Sequence, residues 1–343
     1  MVEMTVSGSL PTGKVPKDVL KRLVFTCLGV PSGRVLKGPH VGEDSAVLDM
    51  GDRVLVAKAN PITGAESRIG WLAVHINAND VAVRGAEPRW YMSVVLLPEG
   101  AQESLLETIM REQHEACCEL GVCVMGGHTE VAPGLTRPIV SGFMLGEAEK
   151  SSYITTGGAR AGDMIILTKG AGIEGTGILA VDLRDRLAGY VDETTLEKAK
   201  DMLRRVSVVP EALAASKIKG VHSIHTPTEG GVLNGLLEVS EASNLGFRVY
   251  EKDLLVAPET RAICEALSVD PLRLLSSGAL LITVDLSMAE AVLSALEGIG
   301  VEARVIGEMT KSSKRLMIGV DGSMASVDCV GQDELYRVLG EHT

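Results

Sequence analysis

The sequence predicts an α/β (α+β) protein made of two domains, residues 1–150 and 151–343. Three observations support this prediction. The chain has 343 residues, more than most single hydrophobic cores contain. In both halves, apolar runs typical of strands alternate with stretches of helical periodicity. Between the halves, residues 147–162 are polar and rich in glycine, which is typical of a segment between domains.

The hydrophobic pattern of the first half predicts an amphipathic helix, two strands around a turn, and then further helices and strands in alternation. Pro98 ends the strand predicted for 90–97, and Gly121 ends the helix predicted for 102–120. The predicted helices are 15–28, 69–84 and 102–120, and the predicted strands are 46–48, 53–57, 90–97, 122–125 and 137–146.

The second half begins again with a strand, a glycine loop and two helices. A further strand leads into the sequence HTPTEGG, which opens another helix. The predicted helices are 176–188, 193–217, 232–243, 258–267 and 287–299, and the predicted strands include 164–168, 247–250, 279–284, 301–308 and 315–320.

Composition excludes several classes of function. The formal net charge is −12, which argues against a nucleic-acid-binding or anionic-membrane surface, because both need clustered positive charge. The six cysteines show no C-x-x-C and no zinc spacing, so we expect reduced, mostly buried thiols. Because we find no signal segment and no run of about 20 apolar residues, we expect a cytoplasmic protein without membrane contact.

Asp80 is the most informative single position, because it lies on the apolar stripe of the predicted helix 69–84. The apolar residues of that stripe are Ile69, Leu72, Ala73, Ile76 and Val83. An ionised acid that faces a core is costly unless it is paired or bound to a cation. Asp80 is therefore a candidate site residue. A carboxylate that is satisfied by Asn77 or Asn79 is an equally good interpretation.

Residues 170–175, GAGIEG, match the G-x-G-x-x-G pattern after a strand and before a helix. A dinucleotide-binding fold also needs a second strand ending in an acid about 20 residues later, where this sequence is helical. The Walker A pattern fails too, because no Lys-Ser/Thr pair follows. What remains is a loop with Gly170, Gly172 and Gly175 that could hold an anion beside Lys169. A merely tight turn explains the pattern equally well.

Three further motifs contain candidate ligand contacts. Asp44 in GEDSA matters in combination with Asp80, because Mg²⁺ takes one or two carboxylates plus phosphate oxygens. His128 and Thr129 in GGHTE follow a strand, where ligand-binding loops are common. Glu229 in TEGG opens a helix. Each motif also has a plainer explanation: a solvated acid, a loop hydrogen-bond donor, or a carboxylate that stabilises the helix dipole.

Taken together, five segments resemble the aminoimidazole ribonucleotide synthetase (PurM-like) superfamily, and they occur in the family's order. They are GEDSAV (42–47), NDVAVRGAEP (79–88), GGHTEVAPG (126–134), KGAGIEGTGIL (169–179) and HTPTEGGVLNGLLE (225–238). The resemblance covers about residues 36–320. Within the superfamily, the chain resembles the hydrogenase maturation factor that forms a cyanide ligand.

The resemblance implies an ATP-dependent enzyme that transfers a phosphoryl group from ATP, with Mg²⁺, to a small or carbamoyl/amide substrate. It implies that Asp44 and Asp80 hold Mg²⁺, and that Asp80, His128 and Glu229 act in catalysis. It also implies a homodimer joined through the N-domain sheets and a maturation protein as a further partner. The residues that it implies for nucleotide binding are Lys58, Asn60, Thr129, Lys169, Gly170, Gly172 and Gly175.

The sequence departs from the family at Asn60, His128 and Thr226, where relatives often have acids. Fewer carboxylates should lower the affinity for metal. Either this chain holds one metal rather than several, or it has lost turnover and is a nucleotide-binding scaffold in metallocentre maturation. The last cysteine, Cys329, precedes the final residue by fourteen positions, so we do not expect it to be the C-terminal carbamoyl acceptor of the maturation factor.

Overall fold

Two mixed β-sheets, one in each half of the chain, organise the fold. The computed structural model describes residue 10, residues 13–63 and residues 68–340. The strands of the first sheet are β1 (Val35–Lys37), β2 (Ala46–Asp49), β3 (Arg53–Ile62), β4 (Glu87–Leu97), β5 (Cys123–Val131) and β6 (Ile139–Glu149). Those of the second are β7 (Met164–Thr168), β8 (Val221–His225), β9 (Gly246–Tyr250), β10 (Leu281–Val284), β11 (Ala303–Thr310), β12 (Arg315–Ile318) and β13 (Met324–Ser326).

Helices pack on both sheets. The α-helices are α1 (Lys17–Val19), α2 (Ile69–Ala82), α3 (Glu103–Leu120), α4 (Ile173–Asp182), α5 (Arg184–Leu187), α6 (Glu193–Asp201), α7 (Val209–Ser216), α8 (Gly231–Ser243), α9 (Pro258–Leu267), α10 (Ala289–Glu297) and α11 (Glu334–Gly340). Short 3₁₀ turns and one π-helical segment, Leu20–Val24, complete the described secondary structure.

The first sheet has the strand order β1-β2-β3-β6-β4-β5 and carries α2 and α3 on one face. Its strand pairs are antiparallel except for β4 and β5, which run parallel. Glycines on β6 let α2 approach closely: a Cβ at Gly142 would lie 2.4 Å from Asn77 Nδ2, and one at Gly146 would lie 2.4 Å from Val81. The sheet, α3 and α7 therefore surround α2.

All residues of α2 are buried, including its polar residues. The sequence predicts a helix with a single apolar stripe, and this prediction is wrong. The reason is that α7, from the second half of the chain, packs on the side of α2 opposite the sheet and covers the face that an amphipathic helix would expose to solvent. Every polar side chain of α2, Asp80 among them, must therefore find its partners within the protein.

The opposite side of the first sheet, which we call the outer face, is apolar and half-exposed. Along β4 and β6, buried residues alternate with half-exposed ones, as expected for strands with one covered face. The pairs Met92–Phe143 and Trp90–Leu145 place apolar side chains next to one another across the two strands. The half-exposed set comprises Trp90, Met92, Val94, Leu96, Phe143 and Leu145.

The second sheet has the order β13-β12-β9-β11-β7-β10-β8 and carries helices on both faces. β9 and β12 are parallel, and the other pairs are antiparallel. The side chains of β7 show the two layers. Ile166 belongs to the core that contains α7 and α10, and Ile165 and Leu167 belong to the core beneath α8.

Several predicted elements differ from the structure at their ends. The helix predicted for 15–28 is limited to α1 and the π-helical turn after it. The helix predicted for 193–217 is divided into α6, a 3₁₀ turn and α7, because Pro210 is favourable only in the first turn of a helix. The strand predicted for 53–57 continues to Ile62, which brings Lys58 and Asn60 into β3.

The six cysteines are free thiols, but only Cys117 and Cys264 are buried. The expectation of mostly buried thiols is therefore wrong. Cys118 lies on the solvent side of α3, and Cys123 lies on the edge strand β5. In the ranges that the structure describes, no helix has the length and apolar character needed to cross a membrane.

Candidate active site

A cleft between the two halves contains several of the predicted site residues. Its cavity has a volume of about 1240 Å³. β3 and α2 contribute one wall, and the residues around the first turns of α4 and α8 contribute the other. Residues 13–25 and 328–336 close it from the two ends of the chain. The predicted residues that line it are Asp44, Lys58, Asn60, Asp80 and Glu229.

Asp80 lies in the last turn of α2 and accepts hydrogen bonds from three side chains. Lys58 Nζ and Asn60 Nδ2 each lie 2.8 Å from Asp80 Oδ2. Thr226 Oγ1 donates to Asp80 Oδ1 over 3.0 Å. Lys58 and Asn60 are two positions apart on β3, so the alternation of a strand directs both towards Asp80. The carboxylate is thus stabilised from both halves of the chain.

The neighbouring asparagines of α2 bind other groups. Asn77 Nδ2 donates to the carbonyl of Ala73 over 2.8 Å. Asn79 Nδ2 donates to the carbonyl of Val206, and Asn79 Oδ1 accepts from the backbone N–H of Val208, each over 2.8 Å. The interpretation of Asp80 as a carboxylate satisfied by these asparagines is therefore wrong, because their amides point to other partners.

Asp44 lies in the turn before β2 and is largely buried. Its Oδ2 accepts from His225 Nδ1 over 2.9 Å, from Thr156 Oγ1 over 3.3 Å and from Arg84 over 3.5 Å. Burial alone would raise the pKa of Asp44, but the charges of His225 and Arg84 outweigh it and lower the pKa. Asp44 is thus an ionised, paired carboxylate, and not the solvated loop acid of the plainer explanation.

His225 bridges two buried carboxylates. Its Nδ1 lies 2.9 Å from Asp44 Oδ2, and its Nε2 lies 2.9 Å from Glu238 Oε2. Burial disfavours the imidazolium, but Asp44 and Glu238 outweigh it and raise the pKa of His225 to about 9. Lys14 Nζ contacts Glu238 Oε1 over 3.0 Å. Although burial opposes ionisation, Lys14 and His225 lower the pKa of Glu238 well below its usual range.

Consecutive residues at the end of β8 connect the two predicted metal ligands. His225 binds Asp44, and Thr226 binds Asp80. Because consecutive Cα atoms lie about 3.8 Å apart, these contacts hold the two carboxylates on the same side of the cleft. Asp44 and Asp80 therefore line one cavity, as expected from the sequence.

Arg84 is a fully buried cation behind this part of the cleft. It contacts Glu43 Oε2 over 2.9 Å and Asp44 Oδ2 over 3.5 Å. It also donates to Thr156 Oγ1 over 3.1 Å. Its side chain points inwards and holds the two acids of the turn before β2.

Acidic residues gather at the other end of the cleft. Glu229 accepts a hydrogen bond from Tyr336 Oη over 3.0 Å. Asp333 caps the turn before α8 by accepting from the backbone N–H of Gly230. Burial raises the pKa of Glu174 to about 7 and that of Asp333 to about 6. Glu229 thus faces the cleft, as expected, but within an acidic group that the sequence did not indicate.

His128 and Thr129 do not line this cleft. The structure corrects the prediction of a loop for GGHTE, because β5 continues through it as an exposed edge strand. His128 pairs with Val94 and therefore lies on the outer face, where its Nε2 contacts Glu130 Oε2 over 3.2 Å. Within one chain, His128 thus lies on the side of the sheet away from Asp80, and Thr129, whose ladder partner is Val95, is an exposed residue of the edge strand outside the cleft.

Lys169, Gly170, Gly172 and Gly175 also do not line the cleft, although Glu174 of the same loop does. Lys169 Nζ donates to the carbonyls of Arg205 and Ser207 and pairs with Glu211. The loop amides are occupied as well: Gly172 N–H binds Ser276 Oγ, and Gly175 N–H binds the carbonyl of Leu275. Gly170 N–H binds the carbonyl of Thr168. The tight turn is the alternative that this geometry supports, because these donors are already used.

The sequence did not identify four residues that complete the site: Lys14, Arg84, His225 and Glu238. Their partners are far away along the chain; His225 and Asp44 are 181 positions apart. A usable signal existed for His225 alone, because it directly precedes Thr226 in the HTPTEGG motif. Ion pairs between distant segments leave no periodic trace in the sequence.

The side chains present are compatible with one divalent cation. Arg84, Thr156 and His225 all contact the same oxygen of Asp44, Oδ2, so the other oxygen, Oδ1, could bind a metal. In the described part of the chain, no group of three or more His, Cys, Asp or Glu side chains could hold a metal. Mg²⁺ often takes one or two carboxylates and completes its shell with phosphate oxygens and water. Asp44, with Asp80 nearby, fits that pattern.

Comparisons with known proteins agree with this architecture. The N-terminal domain of "AIR synthase related protein" matches residues 42–148, and the C-terminal domain matches residues 160–318. The carbamoyl dehydratase HypE of Cupriavidus necator is 31% identical over 87% of this chain and 86% of its own. The HypE of Rhodobacter capsulatus is 28% identical over 95% of each chain.

Two solved structures share the fold. The crystal structure of Escherichia coli HypE, a hydrogenase maturation protein, superposes with a TM-score of 0.75 at 28% identity, covering 86% of this chain and 93% of that one. A structure of HypE in complex with ATP gives a TM-score of 0.67 at 21% identity, covering 95% and 98%. The two family domains together span most of the sequence, and the chain belongs to the AIR synthase related family.

Proposed function

We propose that this protein is an ATP-dependent enzyme that transfers a phosphoryl group from ATP to a small carbamoyl or amide substrate. The observation that carries the proposal is the cleft, in which Asp44 and Asp80 are held on one side by His225 and Thr226. Family membership supports it, as do the carbamoyl dehydratase relatives and the ATP complex of a protein with this fold.

The cleft offers the charges that phosphoryl transfer needs. Such transfer depends on positioning and charge neutralisation rather than on a covalent nucleophile. Lys58 and Arg137 line the cavity and would contact phosphate oxygens. The substrate oxygen would attack the γ-phosphorus while the bond to the departing ADP oxygen breaks. Both nitrogens of His225 are used by carboxylates, so this residue positions Asp44 and does not transfer a proton.

Mg²⁺ belongs to the proposal as a single ion held by the free oxygen of Asp44, Oδ1, and by phosphate oxygens and water. When bound, it would neutralise charge on the phosphates. Glu229 lies at the opposite end of the cleft, where Tyr336 fixes its carboxylate. We assign it the task of orienting the acceptor or accepting its proton.

We also propose that the chain forms a homodimer through the outer face and divides into domains near residue 150. The outer face carries six partly exposed apolar side chains on β4 and β6, on a sheet whose other side is already covered. Pairing two such faces would bury it, and a twofold axis brings the same patch of each copy together. This pairing would also cover His128, which stands on that face.

A second candidate function is a catalytically weakened nucleotide-binding scaffold in metallocentre maturation, and the neutral residues around Asp80 favour it. Asn60 and Thr226, both neutral, contact Asp80 directly. With fewer acids the site holds less metal. A scaffold would bind ATP without releasing ADP.

The test is ADP release from ATP in the presence of Mg²⁺ and a panel of small carbamoyl and amide compounds. We expect at least one compound to stimulate release by the parent protein, and Asp44→Asn to abolish the stimulation. Asp49→Asn is the matched control, because Asp49 pairs with Lys150 on the surface. Tight ATP binding without ADP release would establish the scaffold, and absence of ATP binding would refute both functions.

A further inference from the structure

The partners of Asp80 form an unusual set for a metal ligand. Of the three side chains that donate to its carboxylate, Asn60 and Thr226 are neutral and Lys58 is cationic. Both carboxylate oxygens are engaged, Oδ1 by Thr226 and Oδ2 by Lys58 and Asn60. Three donors thus occupy most of the roughly four acceptor sites of this carboxylate without a metal ion.

The charge of this group is balanced without a metal. Asp80 carries one negative charge and Lys58 one positive charge, and their charged atoms are 2.8 Å apart. Asp80 is almost fully buried, whereas the Lys58 side chain remains 19% exposed and lines the cavity. An ammonium group has three N–H donors. One of them binds Asp80, which leaves others for an anion in the cleft.

We propose that the ammonium group of Lys58 takes the place of a divalent cation at Asp80, joining this carboxylate to a phosphate oxygen of the nucleotide. The inference rests on the proposed function and goes beyond it. It states that the protein needs no metal ion at Asp80 and holds nucleotide phosphate partly through an amine on β3. Metal dependence of binding is then limited to the Asp44 side of the cleft.

The backbone supports this role. Lys58 and Asn60 project from the same side of β3, a strand held between β2 and β6 by ladder pairs on both sides. The position of the ammonium is thereby fixed before a ligand binds, and preorganised charge is more effective than charge on a mobile loop. Thr226 completes the arrangement from the second half of the chain.

The experiment is calorimetric binding of a non-hydrolysable ATP analogue, with Mg²⁺ and with excess EDTA at constant ionic strength. We expect the parent protein to bind in EDTA within about tenfold of its affinity in Mg²⁺, a difference of about 1.4 kcal/mol. Lys58→Met should lose at least tenfold more affinity in EDTA than in Mg²⁺. Lys58→Arg should retain binding in EDTA, because it keeps the positive charge.

Lys150→Met is the matched control, since Lys150 pairs with Asp49 at 2.7 Å on the surface, away from the cleft. Lys58→Met leaves a buried, unpaired charge on Asp80, which destabilises the fold. The double variant Lys58→Met/Asp80→Asn removes both charges and so avoids this destabilisation. It should also lose binding in EDTA. Binding of Mn²⁺ alone, measured by the signal of the free ion, should be tighter in Lys58→Met than in the parent.

The outcomes separate the two proposals. If the parent binds nucleotide only with Mg²⁺ and Lys58→Met behaves as the parent does, the inference is overturned and the proposed function stands. If neither protein binds nucleotide under either condition, the proposed function itself fails. Retention of binding in EDTA by the folded double variant would also overturn the role of Lys58.

Discussion

Replacement of Arg84 by methionine should destabilise the protein far more than replacement of an exposed arginine. Arg84 is fully buried and contacts Glu43 and Asp44, whose side chains are themselves 3% and 11% exposed. Removing one partner of a buried ion pair costs about 3–5 kcal/mol, because the other charge is left uncompensated. Glu43 keeps Lys37 at 3.2 Å, so we take the lower end, about 3 kcal/mol.

The assay is thermal unfolding at neutral pH. For domains of about 150–250 residues, 1 kcal/mol shifts Tm by about 2–4 °C, so Arg84→Met should lower Tm by about 6–12 °C. The control is Arg89→Met, whose partner Glu87 is exposed and whose ion pair contributes at most about 1 kcal/mol. Equal shifts in the two variants would refute the reasoning. The difference between the Tm shifts of Arg84→Met and Arg89→Met should also decrease at lower pH, where the carboxylates left without Arg84 take up protons.

Three further predictions follow from the site and the outer face. Asn60→Asp should strengthen metal binding, as measured by titration calorimetry, because a second carboxylate beside Asp80 creates an acid pair that a divalent cation can take; an unchanged affinity would contradict this. The folded-state pKa of His225 is raised to about 9 from an ordinary value of 6.5, so its stabilisation is complete below about pH 6.5 and is lost as pH rises through 9. Thermal midpoints should therefore fall over that range in the parent but not in His225→Gln, and parallel profiles would contradict this. The parent should be a dimer by light scattering at micromolar concentration, whereas Phe143→Arg, on the outer face, should be monomeric with an unchanged fold; a monomeric parent would remove the dimer proposal.

Local signals allowed much of the secondary structure to be predicted. The helix predicted for 258–267 and the strand predicted for 164–168 coincide with α9 and β7. Proline at the start of α9 fixes that boundary through its own backbone geometry. At GGHTE the sequence predicts a loop and the structure has an exposed strand, because two glycines usually interrupt a strand and the pairing with β4 cannot be read from the sequence.

The candidate site was predictable only in part. Asp80 is recognisable as a site residue from the sequence, because an acid among apolar residues is a local anomaly. The partners of Asp80 cannot be predicted from the sequence, because Lys58 lies on β3 and Thr226 lies in the other half of the chain. The glycine loop illustrates the converse. Its sequence matches an anion-binding pattern, but whether its amides are free depends on Ser276 and Leu275, which only tertiary structure brings near.

The hydrogen bonds of Asn79 to the backbone of Val206 and Val208 restrict how a ligand can enter the cleft. The side-chain amide of Asn79 forms hydrogen bonds to the backbone before and after Ser207, in the second half of the chain. The helix α2 therefore cannot move away from the second half without breaking two buried hydrogen bonds. Entry by hinge motion is thus disfavoured. The segment that contains Lys14, Lys17 and Lys21 lines the cleft and is held there by three ion pairs to Glu238 and Glu241, in which all three lysine side chains are partly exposed to solvent. Dissolved salt weakens such pairs, so the rate of ligand entry should depend on ionic strength.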